Sequence, residues 1–143
     1  MVEEESVTIS LPEAGQARPP ARCIEILLVE DHADTARALT LLLGRDGYNV
    51  RVAANVAEAM RAAEAASFDL LLCDFHLPDG TCLDLMRELP EKAGKGVPAI
   101  AITGRDAPGD RDAILAAGFA EHLVKPLSFE QLEAAILRVC GAA

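Results

Sequence analysis

Leu70-Leu71-Leu72-Cys73-Asp74 is an unbroken apolar run that ends on a carboxylate. A strand that is apolar at every position has both faces buried, which is the habit of a parallel sheet covered on both sides. The same form recurs on either side of it. Ile24-Glu25-Ile26-Leu27-Leu28-Val29 runs into Glu30-Asp31, Ala99-Ile100-Ala101-Ile102 into Thr103-Gly104, and the run from Phe119 to Val124 into Lys125-Pro126. Pro98 fits only the first residues of its strand. Tyr48, Val50 and Val52 instead alternate with Asn49 and Arg51, the pattern of an edge strand.

Helix-period segments separate these runs. Ala36, Leu39, Leu42 and Leu43 share one face of a segment that ends at Gly44. Asn55 and Glu58 form a capping-box pattern that opens an Ala-rich segment to Ala66. A helix with Leu83, Met86 and Leu89 stops before Pro90, and a short one around Ile114 and Leu115 ends at Gly118. Ser128 and Gln131 make a second capping box, and Leu127 and Leu132 stand where a hydrophobic staple would. Five strand–helix pairs with right-handed crossovers predict an α/β fold: a doubly wound (βα)5 three-layer sandwich around a parallel five-stranded sheet.

Composition fits one such domain. At 143 residues the chain is long enough for a single core without disulfide or metal staples. A net charge of −10 argues against nucleic acid and against an anionic membrane surface, and 3% aromatics leave little to stack on bases. No apolar run approaches a membrane span, and the acidic start Met1-Val2-Glu3-Glu4-Glu5 is unlike a secretory signal. Cys23, Cys73, Cys82 and Cys140 show no CxxC spacing and read as core or surface thiols of a reduced cytoplasmic protein. Residues 1–22, acidic and with little periodicity, read as a flexible tail, which leaves 23–141 for the domain.

In a doubly wound fold the functional residues lie just beyond the carboxyl ends of the strands. Those positions hold Glu30, Asp31, Asp74, Thr103, Gly104, Lys125 and Pro126. Three acids placed together repel one another, and a divalent cation relieves that repulsion. Oxygen donors without Cys or His favour Mg²⁺, or Mn²⁺, over zinc. A carboxylate nucleophile, a cation, a lysine and small donors together suit phosphoryl transfer.

Glu30-Asp31, Asp74-Phe75-His76-Leu77-Pro78-Asp79-Gly80, Thr103-Gly104 and Lys125-Pro126 resemble the signature of the response regulator receiver domain of two-component signalling. The resemblance covers about residues 23–141, and its specificity lies in the order and spacing of motifs that are weak one by one. It implies the flavodoxin-like strand order 2-1-3-4-5. It implies Asp74 as acceptor of a phosphoryl group from a sensor histidine kinase or a His-containing phosphotransfer domain. It implies Asp31 as a direct Mg²⁺ ligand, Glu30 acting mainly through water, and the His76 backbone carbonyl as a further ligand. Lys125 would pair with Asp74 and then with the phosphoryl group. Thr103 would donate to a phosphoryl oxygen, with Phe75 and Gly104 beside it, and Pro126 would follow a cis peptide bond. Pro78 and Gly80 would shape the turn after the acceptor.

Two histidines stand apart from the commonest family pattern. His122, three residues before Lys125, takes the place of the Tyr or Phe whose rotamer follows Thr103 on activation. His76 and Arg105 lie where they would shape the access of water to the phosphoryl group. By the same resemblance a surface in roughly residues 109–139 changes on phosphorylation and meets a downstream protein; a homodimer is a separate expectation. The helix from Ala33 to Leu43 meets the phosphodonor. Such a domain takes part only in its own phosphorylation and dephosphorylation, and is not an enzyme with a separate substrate.

Rival readings fit less well. A pseudo-receiver, binding without phosphorylation, need not keep Glu30, Asp31, Asp74, Thr103 and Lys125 together. An aspartyl phosphatase needs a second acid two residues after the nucleophile, where this chain has His76. A flavin protein needs a hydroxyl- and glycine-rich loop after the first strand, where Glu30-Asp31-His32 would repel a phosphate. Met1 reads as a start. The last helix ends near Cys140, which suits a stand-alone receiver, a piece of a hybrid kinase or a piece of a longer regulator.

Overall fold

The structure, a computed structural model, describes residues 7–8, 25–89, 97–104 and 108–140. Five strands form one parallel sheet: β1 (Glu25–Val29), β2 (Asn49–Ala53), β3 (Leu70–Asp74), β4 (Ala99–Thr103) and β5 (Glu121–Val124). Their order is β2-β1-β3-β4-β5, so β2 is an edge strand as its alternation predicts. Among the described residues the helices are α1 (Ala33–Arg45), α2 (Val56–Ala65), α3 (Cys82–Glu88), α4 (Pro108–Ala116) and α5 (Phe129–Cys140).

The leucine run of β3 divides between two cores. Leu70 and Leu72 pack with Leu39, Leu43, Leu132 and Ile136 of α1 and α5. Leu71 and Cys73 pack with Ala59, Cys82, Leu85 and Ile114 of α2, α3 and α4. Period-two alternation along an all-apolar strand therefore feeds both faces of the sheet.

The capping expectation holds in full at Ser128 and in half at Asn55. The Asn55 side chain accepts from the Glu58 N–H at 2.8 Å, although Glu58 returns its bond to the Ala54 N–H rather than to that of Asn55. Ser128 and Gln131 exchange both bonds of their box, at 3.1 and 2.8 Å, with Leu127 and Leu132 buried as the staple.

Other local readings shift. α1 does not stop at Gly44 but runs to Arg45. Gly47, at φ 97°, ends it, with Tyr48 N–H donating to the Leu43 carbonyl and Gly47 N–H to that of Gly44. This six-to-one, five-to-two pair closes α4 as well, at Gly118 with φ 111°. α3 buries Cys82 and Leu85, while Leu83, Met86 and Leu89 pack half-buried around them. Phe119 is buried but lies in the turn before β5, because the Gly118 cap occupies that stretch.

Most of residues 1–22 lie outside the described residues. Val7–Thr8 pair in parallel with Leu127–Ser128, just beyond Pro126. Cys73 and Cys82 are free and buried as expected, but Cys140, at the end of α5, is disulfide-bonded. Cys140 stands in no CxxC motif, so spacing does not mark it. Cys23 lies outside the described residues. Among the described residues no helix is long and apolar enough to cross a membrane.

Candidate phosphoacceptor site

β1 ends at Val29 and β3 at Asp74, and these neighbouring strands deliver Glu30, Asp31 and Asp74 to one edge of the sheet. One carboxylate oxygen from each lies within 4.8 Å of the others. Glu30 is 5% exposed, and its Oε2 accepts from the His32 N–H at 3.0 Å. Lys125, just beyond β5, places Nζ 3.1 Å from Asp74 Oδ1 and 3.9 Å from Glu30 Oε1. The Lys125–Pro126 peptide bond is cis, as the resemblance implies. The Lys125 N–H donates to the Thr103 carbonyl at 2.7 Å, which ties the lysine's backbone to the end of β4.

One lysine faces more than one acid, and the electrostatics show the imbalance. Burial, then the Asp74 charge, pushes the Glu30 carboxyl up to about 6, against the opposing pull of Lys125 and the His32 N–H. Asp74 is raised by burial and by Asp31, and is held down by Lys125 and His76. The site raises its carboxylates chiefly by stripping them of water. Its donors are hard oxygens, which fits a hard divalent cation.

Thr103 is buried, and its Oγ1 lies 3.0 Å from His122 Nε2. Phe75 is buried beneath the acceptor loop, its N–H donating to the Ile102 carbonyl at 2.8 Å, and its ring meets the exposed His76 edge-on at 4.7 Å. His76 pairs with Thr81 across a short antiparallel hairpin whose turn holds Pro78 and Asp79. Gly104 is exposed, and a Cβ built there meets nothing within 4 Å, so the protein's own atoms do not require a glycine. Arg105 lies outside the described residues.

Sequence reasoning missed the fastening of the acceptor loop. Asp79 receives the Val56 and Ala57 N–H groups at 2.7 and 3.0 Å, so it caps the start of α2 from across the molecule. Pro78-Asp79-Gly80 signals a turn, and nothing local shows that the turn's carboxylate serves another helix. Thr81 and Asp84 form a further capping box that starts α3, written Thr-x-x-Asp where the usual pattern has Glu or Gln.

An acid cluster, a paired lysine and a buried hydroxyl thus meet at the carboxyl edge of a doubly wound sheet. The sequence model of the response regulator receiver domain matches residues 26–137, and the chain belongs to that family. The two-component response regulator PhoP of Pseudomonas aeruginosa is 37% identical over 111 residues, 78% of this chain and 49% of PhoP. The sensor histidine kinase AruS of the same organism is 32% identical over 136 residues, 91% of this chain and 14% of AruS. A solved response regulator from Burkholderia pseudomallei, described with a phosphorylated aspartic acid, a calcium ion and citrate, superposes with a TM-score of 0.73 at 28% identity. That match covers 78% of this chain and 65% of that one. The chain spans about half the length (49%) of regulators such as PhoP.

Proposed function

We propose that Asp74 accepts a phosphoryl group from a phosphohistidine, and that the resulting aspartyl phosphate switches a protein-binding surface. The observation that carries this reading is Asp74 itself: a half-buried carboxylate paired with Lys125 at 3.1 Å and lying within 4.8 Å of two further acids. In the transfer, an Asp74 oxygen attacks phosphorus, the O–P bond forms and the N–P bond of the donor breaks. Lys125 passes from the carboxylate to the phosphoryl oxygens, and the Thr103 hydroxyl donates to one of them. Phe75 and Gly104 flank the acceptor. Asp31 and Asp74, with Glu30 through water and the His76 carbonyl, would hold Mg²⁺ or Mn²⁺, which when bound neutralises charge on the transferring group. The solved Burkholderia protein, with its phosphorylated aspartate and divalent ion, supports this reading.

The phosphodonor is a histidine kinase or a phosphotransfer domain, and residues 23–141 act as the receiver unit in the cytoplasm, where the nucleotide that feeds such a kinase is found. A groove of about 390 Å³, lined by Glu30, Asp31, Ala36, Arg37, Leu41 and Val52, offers the donor a path along α1 to the acids. Leu115 and Val124, apolar yet exposed on α4 and β5, suit a downstream contact within residues 109–139. Binding of beryllofluoride, read by ¹⁹F NMR, tests the site. Mg²⁺-dependent bound resonances are expected from the wild type and none from Asp74→Asn. Absence of binding by the wild type would contradict the proposal and favour a pseudo-receiver.

A further inference from the structure

Thr103 and His122 come from adjacent strands. Ala101 pairs with His122, so Thr103, two residues along β4, faces the same side of the sheet as the imidazole. The result is the 3.0 Å contact between Oγ1 and Nε2. A hydroxyl has one proton to give. When Nε2 is unprotonated, the Thr103 hydroxyl donates to it and its proton is taken. When Nε2 carries the proton, His122 donates to Oγ1, and the threonine proton is free to point elsewhere.

We infer that His122 is a positioning residue for Thr103: by donating from Nε2 it directs the threonine hydroxyl proton to the phosphoryl oxygen on Asp74. The inference rests on the proposed phosphoacceptor role of Asp74. A phenyl ring at this place presents no donor to Oγ1, whereas the imidazole does. Phosphorylation and the proton on Nε2 then favour each other, because each is satisfied only when the hydroxyl points away from the ring.

The test is the rate of phosphorylation by acetyl phosphate with Mg²⁺, followed by intact mass, in the full chain. His122→Phe keeps a ring but loses the donor, and is expected to slow phosphoryl gain about fivefold, the worth of one hydrogen bond. His122→Gln, whose amide nitrogen can donate from a similar place, is expected to restore most of the rate. In a Thr103→Val background His122→Phe is expected to change nothing further. In ¹⁵N-histidine-labelled wild type, beryllofluoride is expected to move the His122 Nε2 resonance toward its protonated position. Wild-type rate in His122→Phe, or equal losses in the Phe and Gln variants, overturns the inference and leaves the phosphoacceptor reading standing. A wild type that gains no phosphoryl group and binds no beryllofluoride overturns both.

Discussion

At the scale of single residues, the site is organised around buried carboxylates gathered beside Lys125. Glu30 is charged at neutral pH although burial and Asp74 push its carboxyl up to about 6 from 4.5. Its raised value means that the unfolded chain ionises first. Stability contributed by the protonated form is therefore complete below the unfolded value and is lost as pH rises through about 6. Without added metal, the protein should be more stable at pH 5 than at pH 7.5, by about 1 kcal/mol from this group. Asp74, raised by burial, adds in the same direction. Asp79, Asp84 and Glu121, held low by their hydrogen bonds, lose their contributions at lower pH, beneath this window. Urea melts in EDTA at the two pH values measure the difference, and Glu30→Gln should flatten it. A stability that instead rises with pH between 5 and 7.5 would contradict this account of the acid cluster.

At the scale of elements, caps and turns decide where each helix begins and ends. Ser128→Ala removes the oxygen that accepts the Gln131 N–H and should cost about 1 kcal/mol, visible as a lower Tm. Gly118→Ala forces a Cβ onto φ 111° and should cost a similar amount, about 1 kcal/mol or slightly more. Asp79→Ala frees two N–H groups of α2 and loosens the acceptor loop, so it should lower Tm and slow phosphorylation together. Lowered Tm with an unchanged rate would separate the loop's fastening from its chemistry.

This is also the scale at which the sequence was most and least legible. Strand ends were readable, because a continuous apolar run stopped by Glu30, Asp74 or Thr103 carries its own boundary. The Ser128 box was readable because both partners sit within one turn. The Asp79 cap and the pairing of Val7–Thr8 with Leu127–Ser128 were not, because each joins segments far apart in the chain. Gly44 misled because glycine marks a helix end only where φ turns positive, and that glycine is Gly47.

At the scale of the whole molecule, the sheet gathers residues from four separated strand ends into one site, so binding there should stabilise the entire fold. Mg²⁺ at 100 times its Kd should add about 2.7 kcal/mol by mass action. The gain should appear as a Tm that climbs with Mg²⁺ concentration, and Asp31→Ala should abolish it. The candidate site was legible almost in full at this scale, since order and spacing brought Glu30, Asp31, Asp74, Thr103 and Lys125 together. The hydrogen bond between Thr103 and His122 required the register of β4 against β5. The most direct test of the central claim is intact mass after incubation with Mg²⁺ and a purified histidine kinase or acetyl phosphate, with Asp74→Asn in parallel. The account predicts one added phosphoryl group on the wild type, localised to Asp74, and none on the variant. A phosphoryl group gained equally by Asp74→Asn, or gained by neither protein from either donor, would contradict it.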